Sequence, residues 1–277
     1  MINFNGELLF LENVKLSSEN RGFKYGDSIF ETVKVVNKKV IFWEDHYFRL
    51  MASMRMLRMK IPMEFTLEFL EKEILKTVAV QDEGNSFRVR LNIYRKDGGL
   101  YTPKTNKIDY LIDVKESSYQ IKTTYNIDLY KDFYNFSGLL STIKTNNRMV
   151  NTLASIFADE NDLDNCILLN ERKGVVEVTN GNIFIIKDNV IKTPALTEGC
   201  IKGIVRMKVL EIISKNKDFT LEETIISPFE IQKADEVFMT NAIIGIQPIT
   251  NYKKKSFKTE IGEKLANNLR VLQIAGI

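Results

Sequence analysis

The chain has 277 residues, 44% of them hydrophobic and 27% charged, the composition of a soluble globular protein long enough for two modest domains. Its net charge of +3 is too small to argue for nucleic acid, and its two cysteines make no disulfide framework. No apolar run approaches the roughly 20 residues of a transmembrane helix, and Met1 to Gly6 carries neither the basic nor the long apolar region of a signal peptide. A cytoplasmic protein with no membrane partner is expected.

In chain order, residues 2–10 read as a strand pair turned at Asn5-Gly6, a strong hairpin dipeptide. Arg21 to Asp27 reads as a loop. Ser28 to Val36 alternates as a strand, and Asn37-Lys38-Lys39 turns it into Val40-Ile41-Phe42. Trp43 to Lys60 carries Tyr47, Leu50, Met51, Met54 and Leu57 at helical spacing, with the methionines as core filler. A second helix spans about Leu67 to Val80. Ser86–Tyr94 and Ile108–Val114 read as strands around a Gly98-Gly99 loop. The polar stretch that follows is taken as a linker, 117–122, between an N-terminal α+β domain, 1–116, and a larger C-terminal domain, 123–277. In the second half, a helix at about Arg148–Glu160 precedes strands at Cys166–Leu169, Val175–Thr179, Ile183–Lys187 and Val190–Thr193. Gly203–Ser214 is a helix, Glu236–Asn241 a strand and Thr259–Leu272 a closing amphipathic helix. Two α+β regions of this kind usually hold their site in the cleft between them.

His46 is the only histidine, so a His-rich metal site is excluded. No Gly-x-Ser-x-Gly elbow serves a triad and no Cys-x-x-Cys pair suggests zinc. Chemistry must come from Lys, Glu, Arg and Tyr, or from a cofactor. The run Leu139-Leu140-Ser141-Thr142-Ile143-Lys144 ends a short apolar strand at a lysine. Thr145, Asn146 or Asn147 then caps the helix that begins near Arg148. A lysine so placed has a fixed stem and a partly desolvated amine, as a Schiff base requires; the alternative is an ordinary solvated charge. Gly203 before an apolar helix marks an anion-binding helix start or a plain loop glycine. Glu177, alternating along Val175-Val176-Glu177-Val178, faces a site or the solvent side of an edge strand. Arg49 shares a helix face with His46 and binds phosphate as a planar fork or pairs at the surface with Asp45.

Taken together and in order, these stretches resemble one family. Arg21-Gly22-x-x-Tyr25-Gly26-Asp27-x-x-Phe30-Glu31-Thr32, His46-x-x-Arg49-Leu50, Lys144-x-x-Asn147, Val176-Glu177 with Asn182-Ile183-Phe184, Lys202-Gly203-Ile204-x-Arg206 and Ala234-Asp235-Glu236-Val237-Phe238 are similar to the class IV aminotransferases, pyridoxal 5'-phosphate (PLP) enzymes of fold type IV. The resemblance implies a two-domain α+β fold and a homodimer. It implies Lys144 as the Schiff-base lysine that also moves the proton, and Glu177 on the pyridine nitrogen. Arg49, with the helix start at Gly203, Ile204 and Val205 and with Thr240 or Asn241, would hold the phosphate. Thr32 would lie near the reacting substrate, and Phe30, Arg95 and Tyr101 would line the substrate side.

Within the family the single histidine argues against a D-amino acid aminotransferase. Lys144-x-x-Asn147-Arg148, Arg95-x-x-Gly98-Gly99-x-Tyr101, and Thr240-Asn241-Ala242 leading to Pro248 resemble aminodeoxychorismate lyase, which releases p-aminobenzoate and pyruvate. The reading leans to that lyase. The alternative is a branched-chain L-amino acid transaminase using 2-oxoglutarate. From a different class, a non-catalytic small-molecule-binding protein on the same scaffold would lack the chemistry, which the retention of both Lys144 and Glu177 argues against.

Overall fold

The Asn5-Gly6 dipeptide does turn the chain: φ is +51° at Asn5 and +90° at Gly6, the two positive values that a tight hairpin turn requires. It joins β1 (Ile2–Phe4) to β2 (Glu7–Leu9). Arg21–Tyr25, expected as loop, is instead a short helix, α1. The Asn20 side chain caps it by accepting from the Phe23 N–H, and Gly26 ends it in the left-handed region. There follow β3 (Ser28–Val36), β4 (Lys39–Val40), α2 (Trp43–Met56), α3 (Leu67–Val78), β5 (Ser86–Arg95) and β6 (Ile108–Glu116). The strands form one antiparallel sheet in the order β2-β1-β6-β5-β3-β4. Strict alternation gives this sheet two different faces. Ile29, Glu31, Val33 and Val35 of β3 and Phe87, Val89, Leu91 and Ile93 of β5 are buried, with α2 packed on β3 and α3 on β6. Met51 and Met54 lie inside that core, as expected. The opposite face carries Phe30, Thr32 and Lys34 against Asn92, Arg90 and Arg88.

The structure, a computed structural model, describes residues 1–81 and 84–275 and divides into two units. The first is Met1–Ser118 with Lys144–Asn147, the second Tyr119–Ile143 with Arg148–Ile277. The sequence reading placed residues 144–147 in the C-terminal domain. They count with the first unit because their backbone pairs with β3: the Phe30 N–H donates to the Lys144 carbonyl at 2.9 Å, the Asn146 N–H donates to the Ser28 carbonyl at 3.1 Å, and Thr145 bridges Ile29.

The second unit contains β7 (Asn126–Leu129), α4 (Met149–Glu160), β8 (Asn165–Leu169), β9 (Val175–Val178), β10 (Asn182–Lys187), β11 (Val190–Pro194), α5 (Ile204–Ser214), β12 (Thr220–Thr224), α6 (Pro228–Lys233), β13 (Glu236–Asn241), β14 (Gly245–Ile249), β15 (Asn251–Tyr252), β16 (Lys255–Ser256) and α7 (Glu260–Ala275). Its two sheets run β12-β11-β10-β13-β14 and β16-β15-β7-β8-β9. Ile127, Ile167 and Val178 of one sheet share a core with Ile183, Val237 and Ile249 of the other. Beside β8, α4 covers Cys166 and Leu168 with Ala154 and Ala158. Among the described residues no helix is long and apolar enough to cross a membrane.

Candidate active site

Lys144 does not end a strand. Leu139–Thr142 is a single turn of 3-10 helix with Leu139 and Leu140 exposed, and only the residues from Ile143 onward are extended along β3. The functional expectation about its stem is unaffected, because the pairing with β3 fixes the backbone on either side of the lysine. The capping expectation changes. Arg148 is the N-cap of α4 and makes no side-chain cap bond. Asn146 is used otherwise: its Oδ1 accepts from Arg90 Nη2 at 2.9 Å. The Asn147 side chain reaches the Gly26 carbonyl at 3.4 Å.

Antiparallel pairing puts Lys144 on the same sheet face as Phe30, and the Lys144 Nζ stands 4.5 Å from the centre of the Phe30 ring. The Arg90 guanidinium lies 3.6 Å from the same ring. Arg90 was not anticipated from the sequence. Among the described residues its hydrogen bonds go to the amides of Asn92 and Asn146 and not to a carboxylate. Burial and the neighbouring Arg88 lower its pKa, with Asp113 opposing them. A half-buried cation held by amides and an aromatic face is well placed to receive an anionic group. Thr32, opposite Arg90 in the register, shares this face.

Arg95, the arginine expected at the substrate, is not available there. It is buried and bonded to Asp27 Oδ2 through Nε, to the Leu57 and Arg58 carbonyls and to Asn106. Asp27 also holds Arg21, whose guanidinium reaches the carbonyls of Gly98, Leu100 and Tyr101. These two arginines therefore build the loop on which Tyr101 stands, 89% exposed.

On the core face, Arg49 is not the surface residue that the alternative reading would make it. Its side chain is 11% exposed and forks onto Glu31, Nε to Oε1 at 2.8 Å and Nη2 to Oε2 at 2.5 Å. The same carboxylate is 2.7 Å from His46 Nδ1. Burial pushes the Glu31 pKa up, but the Arg49 charge and the bonds from His46 and Arg49 outweigh it and bring it to about 2. Burial lowers the pKa of His46 despite its bond to Glu31.

In the second unit, Glu177 is 3% exposed, which rules out the solvent-facing alternative. Although β9 ends its sheet, every residue of it is buried, and the Ile201 N–H donates to Glu177 Oε2 at 3.0 Å. The Ile201 carbonyl in turn accepts from Asn182 Nδ2 at 2.8 Å. This clamp leads directly into Gly203, the N-cap of α5. A Cβ at Gly203 would lie 2.1 Å from Asn182 Oδ1, so the glycine is required by close approach. The first bond within α5 runs from Met207 N–H to the Gly203 carbonyl, and the N–H groups before it have no partner inside the helix.

Thr240 faces Asn182 in the register of β10 and β13. Its hydroxyl is buried without a hydrogen-bond partner among the described residues. Asn241 is spent on its own turn, accepting from the Ile243 and Ile244 N–H groups and donating to the Asn180 carbonyl. Arg206, part of the same motif, is drawn to the Pro194 carbonyl and Glu223. A helix start with Ile204 and Val205, a close-packed glycine and an orphaned hydroxyl fit a phosphate group.

A sequence profile for amino-transferase class IV matches residues 28–252. The chain is 30% identical to "Probable branched-chain-amino-acid aminotransferase" of Aquifex aeolicus over 277 residues, 94% of this chain and 86% of that protein. It is 24% identical to aminodeoxychorismate lyase of Vibrio harveyi, covering 83% of this chain and 85% of that one. Its fold matches the PLP form of branched-chain amino acid aminotransferase from Thermobaculum terrenum with a TM-score of 0.86 at 21% identity, covering 100% of this chain and 94% of that one. The motifs, the α+β fold and a profile match that spans most of the chain agree, and the chain belongs to the class IV aminotransferase family of enzymes.

Proposed function

We propose that this chain is a PLP-dependent enzyme that removes the amino group of an amino acid, with Lys144 as the Schiff-base lysine. The observation that carries the cofactor assignment is the buried, unpartnered Thr240 hydroxyl near a glycine-started helix. Ile204, Val205 and Thr240 would hold the phosphate, and Asn241 drops out because its side chain is committed to a turn; Arg49 is proposed as a phosphate-binding arginine on its family motif. Glu177, held by the Ile201 N–H, would pair with the pyridine nitrogen and keep it protonated. When bound, the cofactor supplies an electron sink for the substrate carbon that bears the amine. Lys144 would hold and move the proton at Nζ, with the Phe30 ring restricting its approach and excluding water. Thr32 and Arg90 share that sheet face, and Arg90 would take the second carboxylate of a dicarboxylic substrate.

Transamination is the better supported reading. The Aquifex relative supports it, and the local matches to the lyase carry less weight because Arg95 is committed to Asp27 and the Gly98-Gly99 loop is held by Arg21. A homodimer is the proposed assembly, supported by the exposed Phe23, Leu100 and Tyr101. A side-by-side assay with branched-chain L-amino acids plus 2-oxoglutarate, D-alanine plus 2-oxoglutarate, and aminodeoxychorismate tests the reading. Pyruvate from aminodeoxychorismate without a keto acid would establish the lyase instead. Protein that stays colourless with added PLP and turns over none of the three would remove the enzyme assignment.

A further inference from the structure

We infer that Glu31 and His46 are positioning residues that set the plane of the Arg49 guanidinium for a phosphate group. The inference rests on the proposed reading of Arg49 as a phosphate-binding arginine. The chain of contacts runs His46 to Glu31 to Arg49. His46 and Arg49 stand one helical turn apart on α2 and both face β3, where Glu31 points into the core. A forked arginine–carboxylate pair brings its two planar groups together, so the carboxylate orientation dictates the guanidinium orientation. The Glu31 carboxylate is itself fixed by a third donor, His46 Nδ1 at 2.7 Å. Both partners are essentially inaccessible, Glu31 at 2% and His46 at 1%, so water does not compete for these bonds.

Glu31 is poorly suited to proton transfer, because both its oxygens accept hydrogen bonds and its charged form is strongly favoured. What it offers is geometry. The pairing occupies the Nε–Nη2 edge of the guanidinium and aims the remaining Nη1 edge away from Glu31. A long, flexible arginine is thereby ordered before any ligand arrives, which lowers the entropy cost of binding.

The test compares PLP with pyridoxal, which lacks the phosphate. Dissociation constants of both are measured by absorbance titration of the full chain stripped of cofactor, and the pyridoxal-to-PLP ratio is the readout. Arg49→Ala is expected to lower the ratio about ten- to hundred-fold, the range of one charge-assisted contact. Glu31→Gln and His46→Phe are expected to lower it at least threefold. His46→Asn, whose amide N–H replaces Nδ1, is expected to restore it to within twofold of the unmodified chain. A merely structural role would weaken both ligands alike and leave the ratio unchanged. Should Glu31→Gln fail to fold, the two His46 variants carry the test. An unchanged ratio in His46→Phe, with Arg49→Ala lowering it, overturns the positioning role and leaves the assignment of Arg49 standing. An unchanged ratio in Arg49→Ala overturns both.

Discussion

Gly203→Ala places a methyl group where the structure has no room for one. The new Cβ would stand 2.1 Å from Asn182 Oδ1, well inside contact distance. The Asn182 amide must swing away, which breaks its 2.8 Å bond to the Ile201 carbonyl in a site where Asn182 is only 4% exposed. Leaving that buried amide unsatisfied costs about 1–3 kcal/mol. The thermal midpoint should fall by roughly 2–4 °C for each of these kcal/mol. Because Ile201 also donates to Glu177, the shift should reach the carboxylate as well as the α5 start. PLP affinity should therefore fall together with stability. Calorimetry and a PLP titration on Gly203→Ala, Asn182→Ala and the double variant separate this mechanism from a general intolerance. Once Asn182→Ala has removed the obstructing amide, adding Gly203→Ala should cost almost nothing further, giving a coupling about as large as the cost of Gly203→Ala alone, roughly 1–3 kcal/mol. Gly181→Ala is a useful contrast: its Cβ would meet the Thr240 backbone oxygen at 2.4 Å, which cannot swing aside, so it should destabilise more. Fully additive effects in the double variant would refute the clash argument.

Other outcomes are equally specific. Borohydride reduction followed by peptide mapping should place the cofactor on Lys144, and Lys144→Ala should abolish turnover while its melting curve stays close to that of the unmodified chain. Glu177→Gln should lower kcat far more than it raises KM, since its charge matters most as negative charge develops on the substrate carbon; a near-normal kcat with cofactor bound would remove Glu177 from the reaction. Arg90→Met should raise KM for substrates with a second carboxylate by about ten- to hundred-fold and for monocarboxylic substrates much less, as steady-state kinetics on both classes would show. On acidification, both members of the buried pair stabilise the native state fully above their unfolded pKa values and lose that contribution as the pH falls through their lowered folded ones. His46, lowered by burial, withdraws stability as the pH falls below its ordinary 6.5. Glu31, at about 2 against an ordinary 4.5, withdraws on the order of 3 kcal/mol between those two values. In urea melts across pH, His46→Asn should flatten the first limb and leave the second.

The sequence revealed most of the regular structure because its signals are local. The Asn-Gly turn, the alternation of Ser28–Val36 and the helical spacing after Trp43 each act within a few residues. The Arg21–Tyr25 helix was missed because its stabilising features are a cap at Asn20 and a left-handed Gly26, not an apolar period. The strand Gly245–Ile249 was missed because Pro248 and Gln247 interrupt it, yet both are buried there. At the site, long-range pairing decided the outcome. Nothing near Lys144 in the sequence shows that its backbone joins Ser28–Phe30, and nothing near Arg95 shows that Asp27 claims it. One signal was legible and unused: alternation along Ser86–Arg95 puts Arg88 and Arg90 opposite the buried apolar residues.

The return of residues 144–147 to the first unit also governs how the protein can be made and cut. During synthesis the first 118 residues emerge with the Ser28–Phe30 backbone lacking its eventual neighbour, and the sheet closes only after Asn146 leaves the ribosome. Until then that edge offers unpaired backbone groups to any passing strand, including one from another nascent chain. A fragment ending at Ser118 would keep this sticky edge permanently, so the boundary most visible in the sequence is a poor place to truncate. A fragment that carries residues 1–118 followed by a tethered copy of 143–147 would hide the edge and should remain monomeric at concentrations where the shorter piece aggregates.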